Sequence, residues 1–177
     1  MNIVIEKGRP LQNRSETEEN TYHFLDQLQI SYWRADHATT ATIEECLEVE
    51  KALGVKICKN LFLCNSQKTA FYLLMMPGDK AFKTKNLSKQ IGSARLSFAD
   101  EAFMMQYLSI HPGSVSVLGL MNDTKNHVKL LIDRDVLDNE FFGCHPCLNT
   151  STLKIKISDL IDVFLPAVNH DYTIVEL

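Results

Sequence analysis

The chain has 177 residues, 45% of them apolar and 23% charged, which is enough to bury one substantial hydrophobic core. The net charge of −4 argues against wholesale wrapping of nucleic acid, although a local basic patch can still contact phosphates. The longest apolar run, at 71–76, is far shorter than a membrane span, and residues 1–10 do not resemble a signal peptide. We therefore expect one domain, 1–177, in the cytoplasm.

Two capping boxes of the S/T-x-x-E type predict helices in the first third of the chain. The first box begins at Ser15 and predicts a helix over 15–28. The second box begins at Thr42, and the apolar stripe that follows it ends before Gly54, a suitable residue just beyond a helix. Between the two helices, the stretch "SYWRADH" predicts a short strand.

The rest of the chain mixes strands and helices without a regular βαβ rhythm. Two apolar runs, "KNLFLCN" and "TAFYLLMMP", are separated by the polar "SQK" and predict a hairpin of buried strands. We also expect helices over 86–91 and 99–108, and a loop or strand entry with exposed backbone amides at "HPGSVSVLGLMND". Strands are expected at "HVKLLIDRDVL" and "TLKIKI", a last helix capped by Ser158, and an edge strand at "YTIVEL". This order favours an α+β fold with a mixed, largely antiparallel sheet flanked by helices.

The segment Cys144-His145-Pro146-Cys147 contains a C-x-x-C pair that allows three interpretations. A redox pair needs its first cysteine at a helix N-terminus, whereas the residues after this pair read as turn or strand. A zinc site needs four ligands, and Cys58 and Cys64 share one face of their predicted strand and could converge on the pair. In the third interpretation the cysteines only fill space around His145.

Several segments together resemble the YbaK/ProX family, the prolyl-tRNA synthetase associated domains that act as free-standing aminoacyl-tRNA deacylases. They are "HATTATIEEC", "KNLFLCN", "ARLSFADEAFMMQYLSIHPGSVSVLGLMND", "VKLLIDRDVL", "HPCLNTSTLKIKISDLIDVFL" and "HDYTIVEL". The resemblance runs from about Thr21 to the C-terminus. It implies a curled mixed sheet with helices around it, and ester hydrolysis of mischarged tRNA without a metal or cofactor. The most similar branch removes alanine from proline tRNA.

The family's motifs imply a set of site residues in this chain. The catalytic residues implied are Lys59, Gly113, Ser114 and His145. The substrate-binding residues implied are Asn60, Val115, Val117, Gly119, Asn149 and Thr152, and the entry to the second helix corresponds to His37, Thr42, Glu44 and Glu45. The family commonly has proline at position 117. Valine lacks the fixed φ of proline, so the loop or the amino-acid pocket is expected to differ.

The residue types suit this chemistry. An aminoacyl ester is already activated, so a positioned water and donors to the developing oxyanion are sufficient. The backbone amides of 113–115 are the candidate donors. Lys59 lies between apolar residues, so its ammonium either reaches water at the strand end or faces an anion in a pocket. His145 either contacts the ligand or is structural, and His37 is expected to be structural.

A basic stretch, "DKAFKTKNLSKQIGSAR", is the candidate surface for tRNA phosphates in an otherwise acidic protein. The lysines expected to contact the tRNA backbone are Lys80, Lys83, Lys85 and Lys89. The expected partner is the acceptor end of tRNA, with prolyl-tRNA synthetase as a second partner that the resemblance suggests and no membrane. Removal of cysteine or serine, a non-catalytic binding module and a thiol oxidoreductase remain as alternatives.

Overall fold

The computed structural model describes residues 3–39 and 43–177. Its strands are β1 (Val4–Lys7), β2 (Tyr32–Asp36), β3 (Cys58–Asn65), β4 (Phe71–Pro77), β5 (Leu96–Phe98), β6 (Val128–Asp133), β7 (Phe141–Cys144), β8 (Ser151–Lys156) and β9 (Tyr172–Val175). Its helices are α1 (Glu16–Gln27), α2 (Ile43–Leu53), α3 (Thr84–Gln90), α4 (Glu101–Leu108), a 3₁₀ helix (Val117–Asn122), α5 (Arg134–Leu137), α6 (Ile157–Asp159), a π-helical segment (Leu160–Phe164) and α7 (Leu165–Ala167).

The strands form two sheets. The first has four antiparallel strands in the order β1-β2-β8-β7. The second has the order β5-β3-β4-β6-β9, in which β4 with β6 and β6 with β9 are parallel pairs. The predicted α+β class with a mixed sheet and flanking helices is confirmed.

The two sheets meet where β3 begins. A bridge joins Ile57 to Gly143 on β7, and the Gly143 N–H donates to Lys56 O at 2.9 Å. A Cβ on Gly143 would lie 3.1 Å from the Ile57 Cα, so glycine permits this close approach. The sheet therefore curls at this point, as the family resemblance implied.

Most predicted elements are present, with differences at their ends. Ser15 caps α1 by accepting the Glu18 N–H at 3.4 Å, and β3 pairs with β4 as an antiparallel hairpin. The last helical stretch begins at Ile157 rather than after Ser158, because the Ile157 N–H at the end of β8 bonds to Glu140 O and the chain turns directly into helix. The predicted cap Thr42 lies outside the described residues.

Three short strands, β1, β5 and β7, were not predicted, and the predicted loop at 111–123 contains the 3₁₀ helix. Each of these strands has at most four residues. So few residues give no clear alternation, and such strands form because a longer neighbour offers backbone partners.

The side chains of β3 alternate between two cores. Phe62 and Cys64 belong to the main core, which lies between the sheets and beneath α1 and α4. Leu63, with Leu61 packed beside it, belongs to a second core that includes Leu87 of α3. None of the helices in the described part of the chain has the length and apolar character needed to cross a bilayer.

Candidate active site

The loop between β7 and β8, residues 145–150, carries His145 and forms one side of the candidate site. His145 Nδ1 lies 2.9 Å from the carbonyl oxygen of Ser151. Because a carbonyl oxygen only accepts hydrogen bonds, Nδ1 carries the ring proton and Nε2 keeps its lone pair. Burial lowers the pKa of His145, so the imidazole is neutral at neutral pH. Nε2 has no partner within residues 3–39 and 43–177, so it is available to accept a hydrogen bond from a ligand.

His37 lies beside His145, but both of its ring nitrogens are engaged. The His37 backbone N–H donates to Thr150 O at 3.0 Å. Its Nδ1 donates to the Ala38 carbonyl at 2.8 Å, which leaves Nε2 to accept from the Thr152 hydroxyl at 2.9 Å. The centroids of the two imidazole rings are 6.2 Å apart. His37 is thus a positioned neighbour, while His145 has the unused nitrogen.

The glycine–serine loop (113–115) is tied to the loop of His145 by a hydrogen bond from the Asn149 N–H to Ser114 Oγ, at 3.1 Å. Gly113 has a φ of +85°, a left-handed conformation that glycine adopts readily. The Ser114 N–H already donates to a carbonyl of its own turn at 3.2 Å. In the described part of the chain, the N–H groups of Gly113 and Val115 have no acceptor. These two amides, rather than that of Ser114, can donate to a ligand.

An ionic network behind the loop holds Ser151, the residue whose carbonyl orients His145. Ser151 Oγ donates to Asp36 Oδ1 at 2.9 Å. Arg34, which is 1% exposed, donates to the same oxygen through Nε at 2.9 Å. Burial by itself raises the pKa of Asp36, but the hydrogen bonds from Arg34 and Ser151 outweigh it and the pKa is lowered. Asp36 therefore stays ionised, and its hydrogen bond from Ser151 holds the residue whose carbonyl orients His145.

This network was missed in the sequence, although one signal was present. Arg34 and Asp36 both lie in "YWRAD", a strand in which Tyr32 and Ala35 are buried. A charged residue within such a strand is costly unless it is paired. The distant partner Ser151, however, could not be identified from the local pattern.

The cysteine pair lies in the core next to His145. Cys144 and Cys147 are free thiols, 1% and 2% exposed. Burial raises the pKa of Cys147 to about 12 and that of Cys144 well above its usual value, the latter with a further contribution from nearby Cys58. Protonated, inaccessible thiols are poor nucleophiles, and the chain continues into β8 rather than a helix. The geometry therefore favours the interpretation in which they fill space around His145.

The structure does not bring Lys59 to the two histidines. Alternation along β3 places Lys59 with Leu61 on the side of the second core, and its ammonium donates to Lys80 O at 3.1 Å. Asn60 faces the other way, toward the main core, where its Nδ2 donates to Cys58 O at 3.3 Å. Its Oδ1 is buried and has no partner among the described residues. Asn60, rather than Lys59, is directed to the core against which the His145 loop packs.

Several other predicted substrate-binding residues are buried. Val117 is fully buried in the main core, and a Cβ on Gly119 would lie 2.5 Å from an isoleucine side chain. Thr152 is also fully buried, and its hydroxyl contacts His37. Val115 and Asn149 remain partly exposed. Val117 and Gly119 can therefore affect a ligand only through the shape of the loop that they pack.

The four predicted tRNA-contacting lysines differ in their environments. Lys80 is paired with Asp133 and Asp135, each at 2.9 Å, and Asp133 is fully buried. Its charge is thus already compensated within the protein. The ammonium groups that remain at the surface of this basic stretch belong to exposed Lys83, Lys85 and Lys89.

Comparison with known proteins defines the class of protein to which this site belongs. Residues 37–163 match the model of the aminoacyl-tRNA editing domain, and this span contains both histidines and the glycine–serine loop. The chain belongs to this family, also known as YbaK/ProX, as the sequence motifs indicated.

Its relatives include bacterial and animal proteins. The chain is 33% identical over 136 residues to the prolyl-tRNA editing protein ProX of Acetoanaerobium sticklandii, a match that covers 77% of this chain and 83% of the relative. It is 30% identical over 163 residues to prolyl-tRNA synthetase associated domain-containing protein 1 of Danio rerio, covering 91% and 85%. A crystal structure of a proposed trans-editing enzyme for prolyl tRNA synthetase has the same fold, with a TM-score of 0.69, 14% identity, and coverage of 93% and 99%.

Proposed function

We propose that this protein is a trans-editing hydrolase that cleaves the ester between a wrong amino acid and the 3′ end of tRNA, with alanine on proline tRNA as the substrate. The observation that carries the proposal is His145, a neutral imidazole held through Nδ1, with Nε2 unpaired among the described residues. The names of the relatives, which refer to prolyl-tRNA editing and prolyl-tRNA synthetase, support the tRNA substrate and suggest the synthetase as a partner.

In this mechanism His145 Nε2 accepts a proton from water while the water oxygen attacks the ester carbonyl carbon. The carbonyl oxygen becomes an oxyanion, which the N–H groups of Gly113 and Val115 stabilise. Collapse of the intermediate breaks the bond from the carbonyl carbon to the ribose oxygen, and the imidazolium returns its proton to that oxygen. Ser114 is not a nucleophile in this scheme, because its hydroxyl supports the neighbouring loop by accepting the Asn149 N–H.

The most specific part of the proposal is the identity of the amino acid that is removed, alanine. Serine and cysteine differ from alanine by one heavy atom, and a pocket rejects such a small change by only about 10- to 200-fold. Val117 stands where the family commonly has proline, and it packs the glycine–serine loop from the core. Hydrolysis of cysteinyl- or seryl-tRNA on the same scaffold is therefore the second candidate function.

The test is single-turnover deacylation by the purified protein across a panel of charged tRNAs. We expect alanyl-tRNA for proline to be hydrolysed fastest and correctly charged prolyl-tRNA to be spared. His145→Ala should lower the rate by about 100-fold or more, as expected for loss of a general base. His23→Ala, which changes an exposed histidine on α1, is the matched control and should be neutral.

Each outcome separates the candidates. A wild-type protein that hydrolyses none of the charged tRNAs would make the chain a binding module. A preference for cysteinyl- or seryl-tRNA would select the second candidate. A folded His145→Ala variant with a near wild-type rate would remove His145 from the chemistry.

A further inference from the structure

A groove of about 550 Å³ lies on the outer side of the five-stranded sheet, on the opposite face of β3 from the main core. It is bounded by β3, by the turn that leads into α3, and by β5. We call it the lysine–phenylalanine groove. Its lining includes Lys59, Leu61, Phe82, Lys83, Lys85 and Phe98.

Phe98 is a large apolar side chain of the groove that is exposed to solvent. It ends the three-residue strand β5 and is 60% exposed, although its side chain is large and apolar. The ring of Phe82 lies beside it, with centroids 6.4 Å apart and an edge-to-face angle of 74°. This contact fixes the orientation of Phe98 and leaves much of it open. A second flat ring can therefore stack against it.

The charges of the groove have one sign. Lys59, Lys83 and Lys85 line it, and none of the described residues that line it carries a carboxylate. Asp100, two residues beyond the exposed phenylalanine, is already paired with Lys68. The groove is thus a positive surface in a protein of net charge −4, and its ligand should carry negative charge.

The geometry points to a binding site for an unpaired nucleotide, whose base stacks on Phe98 while its flanking phosphates contact Lys83 and Lys85. This inference rests on the proposed function, because the nucleotide belongs to the unpaired 3′ end of the tRNA whose ester is hydrolysed at His145. Double-stranded RNA buries its base faces, so it could contact the lysines but would gain nothing from Phe98. An acidic peptide without an aromatic residue would likewise leave the ring unused.

Strand β3 connects the groove to the part of the chain that carries His145. Lys59 in the groove and Asn60 on the main-core side are consecutive residues of β3. The start of β3 is bridged to Gly143, two residues before His145. The groove and the main-core side therefore lie on opposite faces of β3, so we infer that they hold different nucleotides of one single-stranded end.

The first experiment measures binding of two fluorescent probes to the full chain. One probe is a short single-stranded RNA that ends in CCA, and the other is a blunt RNA duplex of equal charge. We expect Phe98→Ala to weaken binding of the single strand about tenfold and to leave the duplex unaffected, because loss of one stacked base has an effect of this order. Phe98→Tyr should retain binding, and Trp33→Ala, which removes another exposed aromatic ring, is the matched control.

The second experiment compares KM and kcat for alanyl-tRNA of proline, which separates the two proposals. Phe98→Ala should raise KM and leave kcat near wild type, because Phe98 lies outside the reacting site. Wild-type hydrolysis combined with unchanged Kd and KM in Phe98→Ala would overturn the inference alone. If the wild type hydrolyses no charged tRNA but Phe98→Ala still loses the single strand, the proposed function fails and the nucleotide site stands.

Two further results would also overturn the nucleotide site. One is a wild-type protein that does not bind the single-stranded probe. The other is equal weakening of both probes by Phe98→Ala, which would assign the groove to duplex backbone.

Discussion

Replacement of Asp36 by asparagine tests whether the ionic network behind His145 holds the site together. The carboxylate accepts hydrogen bonds from Arg34 at 2.9 Å, from Arg14 at 2.6 Å and from Ser151 at 2.9 Å. Asparagine keeps the shape and can still accept from Ser151, but it removes the charge. Arg34 would then lie almost fully buried, with Glu6 as its remaining carboxylate partner.

The expected loss can be estimated from these contacts. A hydrogen bond to a charged group contributes about 1.5–3 kcal/mol, and breaking a fully buried ion pair costs about 3–5 kcal/mol. The Asp36 side chain is 27% exposed and Arg34 keeps one carboxylate, so the lower values apply. We expect Asp36→Asn to lower the free energy of unfolding by about 2–3 kcal/mol, a melting temperature about 4–12 °C lower for a chain of this size.

The assay is urea unfolding at neutral pH, where the contribution of Asp36 is fully present. A lowered carboxyl pKa stabilises the fold above the unfolded-state pKa, and that stability is lost as the pH falls through the folded-state pKa. Glu176→Gln is the control, because it breaks an exposed pair with Arg134 and should cost less than about 1 kcal/mol. If Asp36→Asn destabilises the protein no more than this control does, the network is not the support that the hydrogen bonds suggest.

Four other predictions concern the candidate site and the tRNA surface. Lys59→Ala should raise KM and leave kcat within a few-fold of the wild-type value, since its ammonium is on the opposite face of β3 from the histidines. A large fall in kcat alone would show that Lys59 takes part in the reaction. The double variant Cys144→Ala and Cys147→Ala should deacylate at a rate within a few-fold of wild type. Loss of activity in a folded double variant would indicate a thiol or metal role for the pair. The deacylation rate should rise with pH, with its midpoint below the ordinary histidine pKa of about 6.5, because neutral His145 is required and burial lowers its pKa. A midpoint above that value would contradict the assignment. Replacing Lys83, Lys85 and Lys89 together by alanine should weaken tRNA binding. The dependence of the binding constant on salt concentration should become less steep, by about 0.9 for each phosphate that the protein no longer neutralises. An unchanged slope would place the tRNA surface elsewhere.

Local patterns in the sequence determined much of the fold. The capping box at Ser15 predicted α1 to within one residue of its observed ends, because a cap depends only on residues of the same turn. The alternation in "TLKIKI" predicted β8, and the two apolar runs predicted the β3–β4 hairpin. The same local logic excluded a helix after the cysteine pair. The family motifs also identified His145 and the glycine–serine loop as candidates for the site.

Only the tertiary structure determined the direction of the site side chains and the partners of their polar atoms. The hydrogen bond from Ser151 to Asp36 joins residues 115 positions apart, so no local pattern contains it. Strand pairing also decided that Lys59 points away from the histidines while Asn60 points toward the main core. Local patterns specify which elements form. The direction of a side chain and the partners of its polar atoms depend on which distant segments pack against it, and those interactions exist only in the folded chain.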